Sequence, residues 1–438
     1  MMNASFPIGQ RQVRQLAATA VIGISVGLVA VGFHYTMVWV SLWLVERPSH
    51  GGWSVFVPTV LAGMVGCAFF TGLLMKHFAP DAPGSGIPQV KVAYHRNTLD
   101  FSWKLIWVKF VGGALSIGSG SSLGREGPTI HIGAALASKI ASFAKVDDEA
   151  KANAICAGSA AGLAAAFSSP LAGVTLVLEE IAGGRNQNKF AGRALLAAAM
   201  AASVVYALSR GAACLPIGPD LPISWKVLWL TPIIALAAGG AGIFFQWSTL
   251  KTRHFFKSSR MGVPMRVSVG ALAGALTALA AYGVTGHTGV FGLGEADLLE
   301  ALNNRIVWTT AICLLVGKLI ATTACYGSGG CGGIFAPIIF FGGMVGVAVH
   351  GALAPWFGLT MTDQTLIALV GMTACLAAVV RAPLTSILIV VEMTWQIHIL
   401  PSLMMAAVIG VFMNRFCFAG NFYDAALAQD GIKLGEDE

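Results

Sequence analysis

The stretch Leu105–Gly133, LIWVKFVGGALSIGSGSSLGREGPTIHIG, has a second copy at Leu314–Gly342, LLVGKLIATTACYGSGGCGGIFAPIIFFG. The two align without gaps at a constant offset. Lys109 falls on Lys318, Gly118-Ser119-Gly120 on Gly327-Ser328-Gly329, Gly124 on Gly333, Pro128 on Pro337 and Gly133 on Gly342, while Glu126 falls on Phe335. Further on, Ala161–Glu180 lies on Ala374–Met393 at a slightly larger offset, which pairs Pro170 with Pro383, Glu179 with Glu392 and Glu180 with Met393. Two homologous halves in a Gly-rich, apolar chain are the signature of a transporter fold, with the substrate site near the membrane midplane between them. Repeats of this kind are often inverted, which an odd number of helices per half requires.

Composition fixes the medium. The chain has 438 residues, of which 56% are hydrophobic and only 11% charged, and its mean hydropathy is +0.75. Soluble domains carry about a quarter charged residues, so this composition excludes a soluble globular domain and a disordered chain. The apolar segments are continuous rather than alternating, which argues against a β-barrel. What remains is an all-α polytopic membrane protein. Several segments are shorter than the ~20 residues of a full span or broken by Gly and Pro, and such helices must be buried in protein or line a cavity. The formal charge of +7 is scattered, without the concentrated basic face of a nucleic-acid binder. Basic clusters at Arg11/Arg14, Arg96/Lys104, Arg185/Lys189/Arg193 and Lys251–Arg266 mark cytoplasmic loops and a cytoplasmic N-terminus. The eight Cys residues are widely spaced, with no zinc-type pattern. The apolar run from Leu16 to Val45 is too long for a signal-peptide core. The expected organisation is a cytoplasmic segment 1–15, a first transmembrane repeat 16–210, a linker 211–226, a second repeat 227–423 and a short cytoplasmic tail 424–438, with no soluble C-terminal domain.

Four polar or Gly-rich turns interrupt the apolar runs: Gly84-Ser85-Gly86-Ile87-Pro88, Gly124-Arg125-Glu126-Gly127-Pro128, Gly332-Gly333-Ile334-Phe335-Ala336-Pro337 and Asn421-Phe422-Tyr423-Asp424. In the first three, glycines precede a Pro and then a helical run, and Pro suits a first helical turn. Each reads as a helix N-terminus pointed into the protein. Such ends carry free N–H donors and positive partial charge, which suits a small anion. An ion held by dipoles alone also leaves more readily than one held by a buried Lys or Arg.

Glu126 is an intramembrane carboxylate beside such a site, and therefore a functional candidate. Charged, it competes with the anion; protonated, it withdraws. Glu179 and Glu180 close an apolar helix. Glu179 reads equally as a solvated helix end, whereas the repeat mate of Glu180 is Met393, so symmetry does not account for that carboxylate. Lys109 and Lys318 are repeat mates read as structural charges. His131 reads as a packed or hydrogen-bonded side chain.

On these motifs the chain resembles the CLC family of chloride channels and chloride/proton antiporters, in the bacterial form without paired C-terminal CBS domains. Gly84–Pro88 matches the family's GSGIP, Gly124–Pro128 its GREGP, Gly333–Pro337 its GxFxP, and Tyr423 stands at its terminal Tyr position. The resemblance spans about residues 16 to 428. It implies two inverted structural repeats with many tilted or broken helices, and a homodimer in the cell inner membrane with one pore per subunit. Both termini are then cytoplasmic, and no cofactor is needed beyond chloride as substrate. It implies chloride bound by the Ser85 and Tyr423 hydroxyls and the Ile334 and Phe335 N–H groups. Gly84, Gly86, Pro88, Gly124, Arg125, Gly127, Gly333 and Pro337 then shape the anion-site turns. It implies Glu126 as the gating and proton-coupling glutamate and Glu180 as the inner proton-transfer residue of an exchanger. Ser85 fits the chloride-preferring form of the first motif. Gln89 and Lys91 depart from bacterial exchangers that are acidic there, which removes a salt bridge from Lys109 to that helix.

The leading expectation is exchange of chloride for protons, with a passive chloride channel on the same fold as the alternative. An enzymatic reading, an intramembrane serine protease using Ser119 with His131 or His287, is weakened by the duplicate at Ser328. The chain is expected not to be an enzyme.

Overall fold

The computed structural model describes residues 10–183, 187–209, 215–218, 221–222 and 224–434. Arg185 of the basic loop, Cys214, part of the 211–226 linker and the ends of the two terminal segments lie outside the described residues. Helices follow one another in order: α1 (Gln10–Ser41), a π-helical turn (Leu42–Glu46), α2 (Arg47–His50), α3 (Trp53–Phe78), α4 (Ile87–His95), α5 (Trp103–Gly118), α6 (Glu126–Phe143), α7 (Asp148–Phe167), α8 (Pro170–Leu176), a second π-helical turn (Val177–Ile181) and α9 (Gln187–Leu208). The second half holds α10 (Trp225–Ser258), α11 (Val263–Thr285), α12 (Glu295–Leu302), α13 (Trp308–Gly327), α14 (Phe335–Phe357), α15 (Met361–Val380), α16 (Pro383–Thr394), α17 (Leu400–Cys417) and α18 (Phe422–Gln429). Nine spans among the described residues are long and apolar enough to cross a membrane. Helix α18 runs across the 423/424 boundary, so the chain continues as packed helix there.

The repeat in the sequence is a repeat in space. Helices α6 and α7 pack closely, as do their mates α14 and α15. In each pair two glycines face each other, Gly133 against Gly158 and Gly342 against Gly371. A Cβ at any of these would strike the backbone of the facing helix, so the small residues set the approach. The only extended pairing among the described residues joins the copies themselves. Gly124 N–H donates to Gly333 O at 2.8 Å and Gly333 N–H to Gly124 O at 2.7 Å, antiparallel. Repeat mates that bond each other reciprocally are what a two-fold axis between inverted copies demands.

The same symmetry explains the buried lysines. Lys109 Nζ donates to the carbonyls of Ala82 and Gly84, each at 2.6 Å. Lys318 Nζ donates to those of Gly289 and Gly292 at 2.9 and 2.7 Å. Gly84 and Gly292 both hold positive φ, +75° and +50°, which a side chain would oppose. The lysines therefore tie each central helix to the turn that starts a short helix, α4 or α12, and their role is structural.

Glu179 is not the solvated helix end that is one of the two readings of its position. Its carboxylate accepts from the Leu384 and Thr385 N–H groups at 2.9 and 2.8 Å and from Thr385 Oγ1 at 2.7 Å. Its mate Glu392 accepts from the Leu171 and Ala172 N–H groups at 3.0 and 2.9 Å. Each glutamate thus caps the Pro-initiated N-terminus of the other repeat's helix, α16 or α8, where orphan donors otherwise lie in an apolar medium.

Near the C-terminal end of the described chain α18 is clasped to α10. Arg253 reaches both Asp430 carboxylate oxygens at 2.7 and 2.8 Å, and Lys257 adds Asp430 Oδ1 at 2.5 Å and Gln429 O at 2.8 Å. Burial opposes the Asp430 charge, yet the hydrogen bonds from Lys257 and Arg253 outweigh it and hold the carboxyl below its ordinary range.

Two outcomes follow. Loss of a helix cap costs about 1–2 kcal/mol, so Glu392→Ala should lower the midpoint of thermal unfolding in detergent, and Glu392→Gln, which keeps an acceptor oxygen, should lower it less. Equal effects would count against a cap. A depressed carboxyl gives stability that is fully present above its unfolded value and lost only as pH falls through the folded one. The α18 clasp should therefore hold at neutral pH and open in acid below about pH 4, read as hydrogen exchange at 424–431, with Asp430→Asn open at all pH.

Candidate functional site

The antiparallel Gly124–Gly333 contact sets the N-termini of α6 and α14 against each other. Glu126, the first residue of α6, is fully buried. Its Oε1 accepts a hydrogen bond from the Phe335 N–H at 2.7 Å. Phe335 begins α14 and is its repeat mate, so a carboxylate of one repeat occupies the free donor of the other. Cβ atoms on Gly124 or Gly333 would collide with that carboxylate, which requires glycine at both. Two buried polar atoms here have no hydrogen-bond partner among the described residues, Glu126 Oε2 and the Tyr423 hydroxyl.

Tyr423, in the first turn of α18, stacks on Phe335 with ring centroids 6.4 Å apart. Ser85 is buried, and its Oγ accepts from the Ile87 N–H at 3.3 Å, which leaves its own proton to donate. Gly86 holds φ of +95°, and Pro88 lies in the first turn of α4. Gly127 touches the Ser85 backbone so closely that a Cβ would come 2.7 Å from its carbonyl oxygen. The first two motifs are thus in contact. Ile334 caps α14, and Pro337 follows in its first turn. The structure therefore gathers Ser85, Glu126, Ile334, Phe335 and Tyr423 around converging helix N-termini. Arg125 is turned away, with Nη1 on His34 Nδ1 at 2.8 Å and Nη2 on Glu295 Oε1 at 3.0 Å, so the seat keeps dipoles rather than a full positive charge.

A cavity of about 730 Å³ reaches Ser85 and Pro88 and is lined also by Tyr326, His131, Arg253 and Lys257. Its basic rim, Arg253 and Lys257, lies in the C-terminal turns of α10. Both His131 ring nitrogens lack partners among the described residues, and the ring packs against Phe101 and Gly86. Ser119 Oγ donates to Ser116 O at 3.1 Å, and His287 Nδ1 meets Asp297 at 3.2 Å. The pairing a serine protease needs is not made by these residues.

Glu180 sits in the π-helical turn after α8, a distortion common at functional sites. Lys91 Nζ lies 3.1 Å from its Oε1, and Asn421 Nδ2 donates to its Oε2 at 2.5 Å. Lys91 also reaches Asp424 Oδ1 at 2.7 Å. Sequence reasoning missed Lys91 and Asn421 as partners of Glu180 and Tyr326 as a wall of the cavity. Its one available signal was Lys91 itself, a base within one turn of the Gly84–Pro88 motif.

A model of the family described as "Voltage gated chloride channel" matches residues 67–415. The H(+)/Cl(-) exchange transporter ClcA of Cronobacter sakazakii is 31% identical over 427 residues, covering 94% of this chain and 89% of that protein. The ClcA of Klebsiella pneumoniae is 31% identical over 422 residues, covering 94% and 88%. Among solved structures, a slow cyanobacterial Cl-/H+ antiporter superposes with a TM-score of 0.85 at 27% identity, over 95% of this chain and 98% of that one. A CLC-type fluoride/proton antiporter shares the fold with a TM-score of 0.80 at 23% identity, over 95% and 98%. With its inverted repeats, paired glycine turns and near end-to-end match, the chain belongs to the CLC family of voltage-gated chloride channels and their transporter relatives.

Proposed function

We propose that this chain is a secondary-active exchanger of chloride for protons. The observation that carries it is Glu126 Oε1 on the Phe335 N–H: an anionic side chain held by the donor that an anion would use. A charged Glu126 and a bound chloride compete for that donor. Protonation cancels the carboxylate's charge and its hold on the helix N-terminus, so each vacated seat is linked to a proton. Chloride is held by the Ser85 and Tyr423 hydroxyls and the N–H groups of Ile334 and Phe335, with Gly84, Gly86, Gly124, Gly127 and Gly333 admitting it close to the backbone. Sites made of N–H dipoles repel protons, which therefore need a separate route from the cytoplasm through Glu180. The buried Glu180, absent from the second repeat, supports the exchanger over a passive channel, as do the exchangers among its relatives. The protein acts in the inner membrane as a homodimer with a pore in each subunit and both termini in the cytoplasm, and chloride is its substrate rather than a cofactor.

In reconstituted vesicles, a chloride gradient should drive proton movement measured with an external pH electrode. Glu126→Gln should conduct chloride without pH dependence or proton coupling, and Glu180→Gln should stop proton movement while chloride still permeates. Wild-type protein that passes chloride and moves no protons would establish the channel instead. The glycine seat gives an independent check. Gly333→Ala should push the Glu126 carboxylate off the Phe335 N–H, flattening the pH dependence of chloride efflux toward that of Glu126→Gln. A wild-type pH profile would mean that the carboxylate does not gate.

A further inference from the structure

Glu180, Lys91 and Asp424 form one cluster of two carboxylates and a single ammonium. Glu180 is 2% exposed and Lys91 12%, whereas Asp424 is 42% exposed. The three come from separate elements: the π-helical turn after α8, helix α4 and helix α18. Lys91 lies one turn past Ser85's motif, and Asp424 follows Tyr423 directly. By the turn register that matches Gly84 to Gly292, the second-repeat counterpart of Lys91 is Leu299, as that of Glu180 is Met393. Neither charge is therefore inherited from the symmetric scaffold.

We propose that Lys91 is a positioning residue for the proton step at Glu180, shared between Glu180 and Asp424 so that the site takes up one proton without stranding a buried charge. The inference rests on the exchanger reading and deepens it. With both carboxylates ionised, Lys91 divides its bonds between them, at 3.1 and 2.7 Å. When Glu180 gains a proton from cytoplasmic water, Lys91 keeps Asp424 as counter-ion. An ammonium with Glu180 as its sole partner would lose its counter-ion at that moment, and an uncompensated buried charge is strongly unfavourable. A lone buried Glu180 carries the opposite defect, since desolvation disfavours its charged form. Asn421 joins the arrangement to the anion seat. It donates to Glu180 Oε2 and also caps α18 by accepting from the Asp424 N–H at 2.9 Å, so the proton acceptor is bonded to the helix start that carries Tyr423.

Other charges around this turn are engaged elsewhere. His95 of α4 meets the Ile181 carbonyl at 3.1 Å, and Glu179 caps α16. On α7, Lys151 pairs with Asp100 and Glu149 with Lys189. Arg381, after α15, bonds Asn414 and the Phe418 and Ala419 carbonyls and acts on Asp424 only through its charge.

The test is the dependence of chloride-driven proton flux on cytoplasmic-side pH in oriented vesicles, with chloride flux as the measure of intact protein. A single charge at this distance moves such a profile by about one pH unit or more. Lys91→Met removes the cation that favours ionised Glu180 and should shift the profile to alkaline pH. Asp424→Asn leaves Glu180 as the only counter-ion of Lys91 and should shift it to acid pH. Lys91→Arg keeps the charge and should stay within a few tenths of a unit of wild type. Opposite shifts support the proposal, because damage to folding lowers flux without moving two profiles in opposite directions. Unmoved or parallel profiles overturn it. Loss of proton flux in Lys91→Arg also overturns it, since a proton carried by the lysine itself would require an amine that can deprotonate. Where Lys91→Met gives no protein, Lys91→Gln carries the same expectation. If wild type moves protons and Glu180→Gln stops them while these profiles coincide, this inference fails and the exchanger reading stands. If wild type moves none, the exchanger reading itself has failed.

Discussion

A helix that begins inside a membrane protein leaves backbone N–H groups facing a medium with no water to satisfy them. This fold contains several such starts, and three are answered by a carboxylate from the opposite repeat. Glu179 caps α16, Glu392 caps α8, and Glu126 bonds the first N–H of α14. The first two are repeat mates serving repeat mates, each with two backbone donors, and they hold the halves together. The third uses one oxygen on one donor and leaves the other oxygen without a partner among the described residues. One physical device thus appears with two backbone donors twice and with a single donor once, and the proposed exchange puts chloride in competition with the carboxylate at that single donor.

Symmetry separates scaffold from site. Lys109 and Lys318 each tie a central helix to two carbonyls of a turn, and Gly133–Gly158 and Gly342–Gly371 set equivalent helix crossings. The residues of the proposed ion site lie where the copies disagree. Glu126 stands opposite Phe335, Glu180 opposite Met393, and Ser85 opposite Leu293 in the matched turns. A duplicated frame supplies two equivalent helix starts back to back. Substituting single positions in one copy then makes the pair an asymmetric site with a carboxylate on one side and its donor on the other.

The repeat, the helical class and the turns were legible because they depend on order along the chain: glycine and proline spacing and the offset between copies survive as a linear pattern. What the turns face was not. Glu179 stayed open between a solvated end and a functional carboxylate because its partners, Leu384 and Thr385, lie in the other repeat. Arg125 sits inside a motif yet points to His34 and Glu295, since sequence fixes a backbone position more firmly than a long side chain's direction. The Glu180 partners Lys91 and Asn421 come from two elements far apart in the chain, and only folding brings their charges and amides together.

Holding an anion without a cation has a consequence for the proton. If Arg125 pointed into the seat, chloride would be bound by a full charge in low dielectric and released slowly. Its pairing with Glu295 leaves the proposed seat to backbone dipoles, which release an anion more readily than a full charge does and also repel protons. In the proposed exchange, proton and chloride paths then divide and meet only at Glu126, the group that can be both an anion and neutral. The basic-rimmed cavity reaches Ser85 and Tyr326, whereas Glu180 pairs with Lys91 and does not line it. Their link is the short segment Asn421–Asp424, which bonds Glu180 at one residue and places Tyr423 against Phe335 two residues later. In the proposed exchange, a shift of that helix start on proton uptake would be felt at the anion seat, which is what two ions on separate paths need to be exchanged rather than merely conducted.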